Sequence, residues 1–140
     1  MRTVQTSEIT KNIREMCIEA NHFLSDDMKK VFNESVEKEE SPLGKQILNQ
    51  LKENLEIAGR DMIPICQDTG MACVFVELGQ DVHIEGDFEQ AVHEGVRRGY
   101  GEGYLRKSIV GDPLRRVNTG DNTPAAITLR LVPGEGCTIT

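Results

Sequence analysis

Met62-Ile63-Pro64-Ile65-Cys66-Gln67-Asp68-Thr69-Gly70-Met71-Ala72-Cys73-Val74-Phe75-Val76-Glu77-Leu78 is the stretch on which the fold class turns. Before it, apolar residues recur three and four positions apart, the spacing of helices. After Gly70 they form a short run rich in Val and Phe and bounded by glycines, as expected of a buried strand. Between the two patterns, Cys66 to Gly70 sets a soft metal ligand, an amide, a carboxylate and a hydroxyl in one tight turn. Thiolate sulfur suits iron and zinc, while a neighbouring carboxylate and amide suit proton transfer and the orientation of a polar substrate. The turn is built for chemistry rather than for packing.

Upstream, the first sixty residues read as helices. Ile9, Ile13, Met16, Cys17 and Ala20 share a face after the capping candidates Thr6 and Ser7. A second helix is predicted from Ser25, with Asp26 and Asp27 complementing its positive end and Met28, Val31, Phe32 and Val36 in one stripe. A third has Ser41 as N-cap and Pro42 at its first position, with Ile47, Leu48, Leu51 and Leu55 as the buried face and Gly59 as the stop. Downstream, Asp87 caps a helix from Phe88 to Tyr100 that ends in the glycines of 99–103. Ala125 to Val132 alternates as a strand, and Cys137 to Thr140 begins another. The expected fold is α+β, with amino-terminal helices packed on a mixed β-sheet, in a single domain over 1–140: helical over 1–60, mixed over 61–140. The strand composition of Cys137 to Thr140, with no polar tail after it, predicts a sheet incomplete at the carboxyl end and one domain of something longer.

At 140 residues one domain is the default. Lys and Arg number 16 against 23 Asp and Glu, a net charge of −7 that argues against a nucleic-acid binder. Yet Arg97, Arg98, Arg106, Lys107, Arg115 and Arg116 face only Glu102 and Asp112 across one segment, which favours a small anion there. The polar start and the lack of a long apolar run point away from a membrane and toward the cytoplasm. Four irregularly spaced cysteines, Cys17, Cys66, Cys73 and Cys137, read as reduced thiols, Cys17 and Cys73 in the core. His22, His83 and His93 share no motif.

Three motifs stand in order: Pro64-Ile65-Cys66-Gln67-Asp68-Thr69-Gly70, Tyr104-Leu105-Arg106-Lys107-Ser108, and Asn118-Thr119-Gly120-Asp121-Asn122-Thr123-Pro124-Ala125. On these the chain resembles the amino-terminal part of the iron–sulfur class I fumarate hydratases and their relatives, the L-tartrate dehydratase alpha subunits. The resemblance implies a [4Fe–4S] cluster with one ligand in this chain, Cys66, the others lying beyond residue 140. It also implies Gln67 as a substrate-contacting amide, Asp68 as a substrate-contacting carboxylate in acid/base work, and Arg106 as the grip on a substrate carboxylate, for which a planar guanidinium is suited. Reversible hydration of fumarate to L-malate is the implied reaction, with tartrate, mesaconate or another small dicarboxylate as alternatives. The implied partners are the remainder of the alpha portion and a beta subunit or domain, in an oligomer, and the chain alone is expected to be inactive.

On the residues alone, competitors stay open. Cys66 also fits a small buried hydrophobe, Asp68 a turn-closing side chain, and Arg106 a surface partner of Glu102 at helical spacing. The loop from Asn118 to Thr123 is expected to satisfy local backbone groups near the site. A non-catalytic metal-binding scaffold or an assembly domain are the alternative classes.

Overall fold

The computed structural model describes residues 1–66 and 70–140. Its elements run β1 (Arg2–Gln5), α1 (Thr6–His22), α2 (Asp26–Lys38), α3 (Pro42–Asp61), β2 (Cys73–Gly79), β3 (Val82–Glu85), α4 (Phe88–Glu102), β4 (Ala126–Val132) and β5 (Cys137–Ile139). They form two compact units, one of Met1–Ile18 with Thr69–Thr140 and one of Glu19–Asp68. The α+β class stands.

In the larger unit β2 lies between β4, to which it is parallel, and β5, to which it is antiparallel, so the sheet is mixed. The parallel step from β2 to β4 needs a crossover, and α4 provides it. Val74 and Val76 point to the buried face, where Val92 and Val96 of α4 are both 0% exposed and Ile9 and Ile13 of α1 complete the core. A second, two-stranded parallel sheet pairs β1 with β3, from Arg2↔Val82 to Gln5↔Glu85.

Cys73 was expected in the core, and the structure corrects this: it is exposed, as is Phe75 at 55%. The reason is the two-residue period of a strand, which sends Cys73 and Phe75 to the face opposite Val74 and Val76. The run is buried on one side and not on both. β1 and β3 were not foreseen, since four-residue strands give too little alternation to separate from their flanks.

Helix α4 begins where Asp87 accepts the backbone N–H of Gln90 at 3.0 Å, the expected cap. Its Gly95 and Gly99 let α1 come close. A Cβ at Gly95 would lie 2.8 Å from that of Ile13, and one at Gly99 would lie 2.7 Å from that of Cys17.

In the smaller unit Ser41 accepts from the N–H of Gly44 and Pro42 opens α3, as predicted. Ser25 takes the N-cap position of α2, but its hydroxyl bonds Asp27 and lowers that carboxyl's pKa. Two further expectations are corrected. Gly59 does not stop α3, which runs to Asp61 and is capped by Met62 in the left-handed region at φ 52; Gly59 instead makes room for the ring of Phe23. The stripe Ile47, Leu48, Leu51, Leu55 is not fully buried: Ile47 is 49% and Leu51 44% exposed, and Ala58 is the buried residue of α3. Two helices side by side share one line of contact, too narrow to cover a stripe of that width.

Gly99→Ala is expected to cost about 1–3 kcal/mol by overpacking against α1, less the roughly 1 kcal/mol of helix propensity that Ala regains over Gly. Thermal unfolding followed by circular dichroism checks this, and an unchanged midpoint would show that α1 yields freely.

Candidate active site

The described residues of the first two motifs sit on connections between elements. Beyond α3 the N–H of Ile65 donates to the Asn21 carbonyl at 2.7 Å, and Ile65 is buried. The next N–H, of Cys66, donates to Oδ1 of Asn54 at 3.2 Å. Cys66 itself is exposed and free of any disulfide. The exposure of Cys66 does not fit the reading of it as a small buried hydrophobe, and a cysteine has the donor chemistry of a thiolate ligand to a metal cluster. Among the described residues no group of three or more His, Cys, Asp and Glu stands together to hold a metal. Gln67, Asp68 and Thr69 lie outside the described residues.

The second motif leaves the end of α4 through Tyr104, left-handed at φ 54. Leu105 then anchors the segment: it is buried, and its N–H donates to the Tyr100 carbonyl at 3.1 Å. Arg106 and Lys107 emerge to solvent. Glu102, the competing partner for Arg106, is instead bound by Arg14, whose Nη2 lies 2.6 Å from its carboxylate. Arg106 has no carboxylate partner among the described residues. Arg97 is committed differently, to Glu94 and to Asp121, and Arg98 to Glu94. The positive segment read from the sequence is thus partly neutralised at its helical end, and Arg106 is left available.

The third motif holds the second. Asn118 Nδ2 donates to the Lys107 carbonyl at 3.0 Å, and the Thr119 N–H donates to that of Ile109 at 2.9 Å. Asn122, 0% exposed, accepts the N–H groups of Ser108 at 2.6 Å and Ile109 at 3.1 Å on one oxygen. Its Nδ2 donates to the carbonyl of Gly70, the residue that closes the first motif, at 3.1 Å. Sequence reasoning gave this loop a local supporting role and did not single out Asn122. Asx residues ahead of Thr-Pro mark a turn, but nothing in the sequence says that one of them is buried.

Asp121 is stabilised as an anion. Desolvation pushes its carboxyl up, but hydrogen bonds from the Thr123 hydroxyl and N–H, with the Arg97 guanidinium at 3.0 Å, outweigh that and hold it well below the usual carboxylate range. Cys17 is the opposite case: burial pushes its thiol up to about 11. His93, unassigned from sequence, accepts the Ala125 N–H on Nδ1 at 3.3 Å and so secures the start of β4. A groove of about 300 Å³ between α2 and α3, lined by Lys29, Phe32, Lys52, Leu55, Glu56 and Arg60, contains no motif residue. Among the described residues no helix is long and apolar enough to cross a membrane.

Residues 10–140 match the model of the family described as Fumarate hydratase (Fumerase). The anaerobic class I fumarate hydratase of Escherichia coli K12 is 39% identical over 99 residues, covering 69% of this chain and 18% of that protein. Fumarate hydratase 2 of Leishmania major is 32% identical over 119 residues, covering 83% and 21%. The L(+)-tartrate dehydratase subunit alpha of Escherichia coli UTI89 is 28% identical over 131 residues, covering 83% and 43%. The chain spans less than half the length of each of these relatives.

Two outcomes follow from the geometry. A group whose pKa is lowered on folding stabilises above its unfolded pKa and loses that contribution as pH falls. Asp121→Asn is therefore expected to lower the thermal midpoint at neutral pH, with the gap to the native protein closing below about pH 4; a gap independent of pH would dismiss the charge on Asp121 as the cause. In timed alkylation of the folded protein, Cys66 and Cys73 should be modified first and Cys17 last. Mass spectrometry of the peptides reads the order, and early labelling of Cys17 would contradict its burial.

Proposed function

Because this chain belongs to the fumarate hydratase family of hydro-lyases, we propose that it is the amino-terminal, alpha-type portion of an iron–sulfur hydratase acting reversibly on fumarate and L-malate. The observation that carries the reading is the exposed Arg106, followed directly by residues whose backbone the third motif holds and without a carboxylate partner among the described residues. A guanidinium so placed suits a carboxylate in two-point contact, which an ammonium does not offer. Tartrate, which some relatives bear in their names, is the second substrate reading, and mesaconate or a similar small dicarboxylate remains within the same chemistry.

Adding water across the double bond of a dicarboxylate requires that its carboxylates be fixed, that hydroxide reach one carbon and that a proton reach the other. Arg106 neutralises and orients a carboxylate. Gln67 contacts the substrate through its amide, and Asp68 contacts it while relaying the proton. Cys66 supplies one thiolate to a [4Fe–4S] cluster, the other ligands coming from the remainder of the alpha portion. Lewis acidity toward a substrate oxygen is the chemistry such a cluster supplies when bound. Catalysis then needs that remainder and a beta subunit or domain, in a cytoplasmic oligomer, and residues 1–140 are inactive alone.

The test is fumarate consumption by the complete enzyme after anaerobic reconstitution. Cys66→Ser should abolish turnover, and Arg106→Lys should raise KM by about one order of magnitude, the worth of a charge-assisted hydrogen bond. Equal activity of native protein and Cys66→Ser would remove the sulfur from the reaction and favour a structural role for the turn.

A further inference from the structure

We propose that Asn122 is a positioning residue of the larger unit, a buried clamp that ties the Arg106 segment to Gly70 with one carboxamide. The inference rests on the hydratase reading and adds to it a residue that touches no substrate. Three motifs separate in sequence meet at this side chain. Its oxygen accepts from the N–H groups of Ser108 and Ile109, two and three positions beyond Arg106, and its nitrogen donates to the Gly70 carbonyl, two positions beyond Asp68. It is 0% exposed, so water does not compete for these bonds, and removing the carboxamide takes away the acceptor that the N–H groups of Ser108 and Ile109 share.

Asparagine is suited here on two counts. An amide offers an acceptor oxygen and a donor nitrogen on one rigid plane, which the carbonyl of Gly70 and the two N–H groups both require. The backbone of Asn122 is left-handed at φ 61, a region that Asn and Gly tolerate and most residues do not. The two arms are therefore separable by substitution. Asn122→Asp keeps an acceptor for Ser108 and Ile109 but sets an oxygen against the Gly70 carbonyl. Asn122→Gly keeps the backbone conformation and removes both arms.

The experiment is steady-state kinetics of the complete, reconstituted enzyme with fumarate, beside hydrogen exchange at the Ser108 and Ile109 amides. Asn122→Asp should lower kcat on the order of a hundredfold, as small misplacements of reacting groups do, with KM near native and both amides protected. Asn122→Gly should in addition raise KM roughly tenfold, as a weakened charge-assisted contact does, and expose both amides. Val92→Ala, a core truncation in the same unit, serves as the control for lost stability and should leave kcat and KM near native. If both Asn122 variants lower the thermal midpoint but keep native kcat and KM, as Val92→Ala does, the positioning role is overturned while the hydratase reading stands. A native enzyme that hydrates no dicarboxylate would overturn that reading, and the inference with it. Rapid exchange of both amides in the native protein would overturn the clamp itself.

Discussion

A single buried carboxamide, that of Asn122, joins the backbone of Ser108 and Ile109 to that of Gly70, and so ties together parts of three sequence motifs. Backbone groups withdrawn from water need partners, and a connection between elements has no ladder to provide them. The chain from Lys107 to Ile109 is such a connection, and the loop from 118 to 122 meets its needs through Asn118, Thr119 and Asn122. The ion pair of Asp121 with Arg97 then ties the same loop to α4, whose inner face is the core of the unit. Order in the exposed residues is thus inherited from burial a few positions away.

The division of charge follows the same logic. Arg14, Arg97 and Arg98 are matched with carboxylates on the surface of α1 and α4. Pairs of this kind contribute little stability each, but they remove competitors for anions along the helices. Arg106, beyond the last turn of α4, has no carboxylate partner among the described residues.

Much of this was legible in the chain. The capping residues Ser41 and Asp87, Pro42 and the alternation of β4 each act locally, and each landed where expected. What failed depended on distant parts. Cys73 lies in an apolar run whose composition hides which face is covered, and Gly59 stops nothing because Phe23 needs the space its missing side chain leaves. At the candidate site the exposure of Cys66 and Arg106 and the failure of Glu102 to pair with Arg106 were not legible, the latter because Arg14 lies 88 positions from Glu102. Asn122 shows the same limit: its residue type announces a turn, whereas its burial is a property of the assembled unit.

The pairing of β1 with β3 has a temporal consequence. Arg2 finds its partner only at Val82, and Cys73 finds Ala126. A chain emerging from the ribosome can join α2 to α3 as soon as Asp61 is made, because those contacts are close in sequence. The first strand must wait for some eighty residues of synthesis, and β2 for fifty more, with its valines bare meanwhile. The larger unit is therefore the one whose sheets rest on contacts distant in sequence, the kind that form slowly, and it is the unit that contains Arg106 and Asn122.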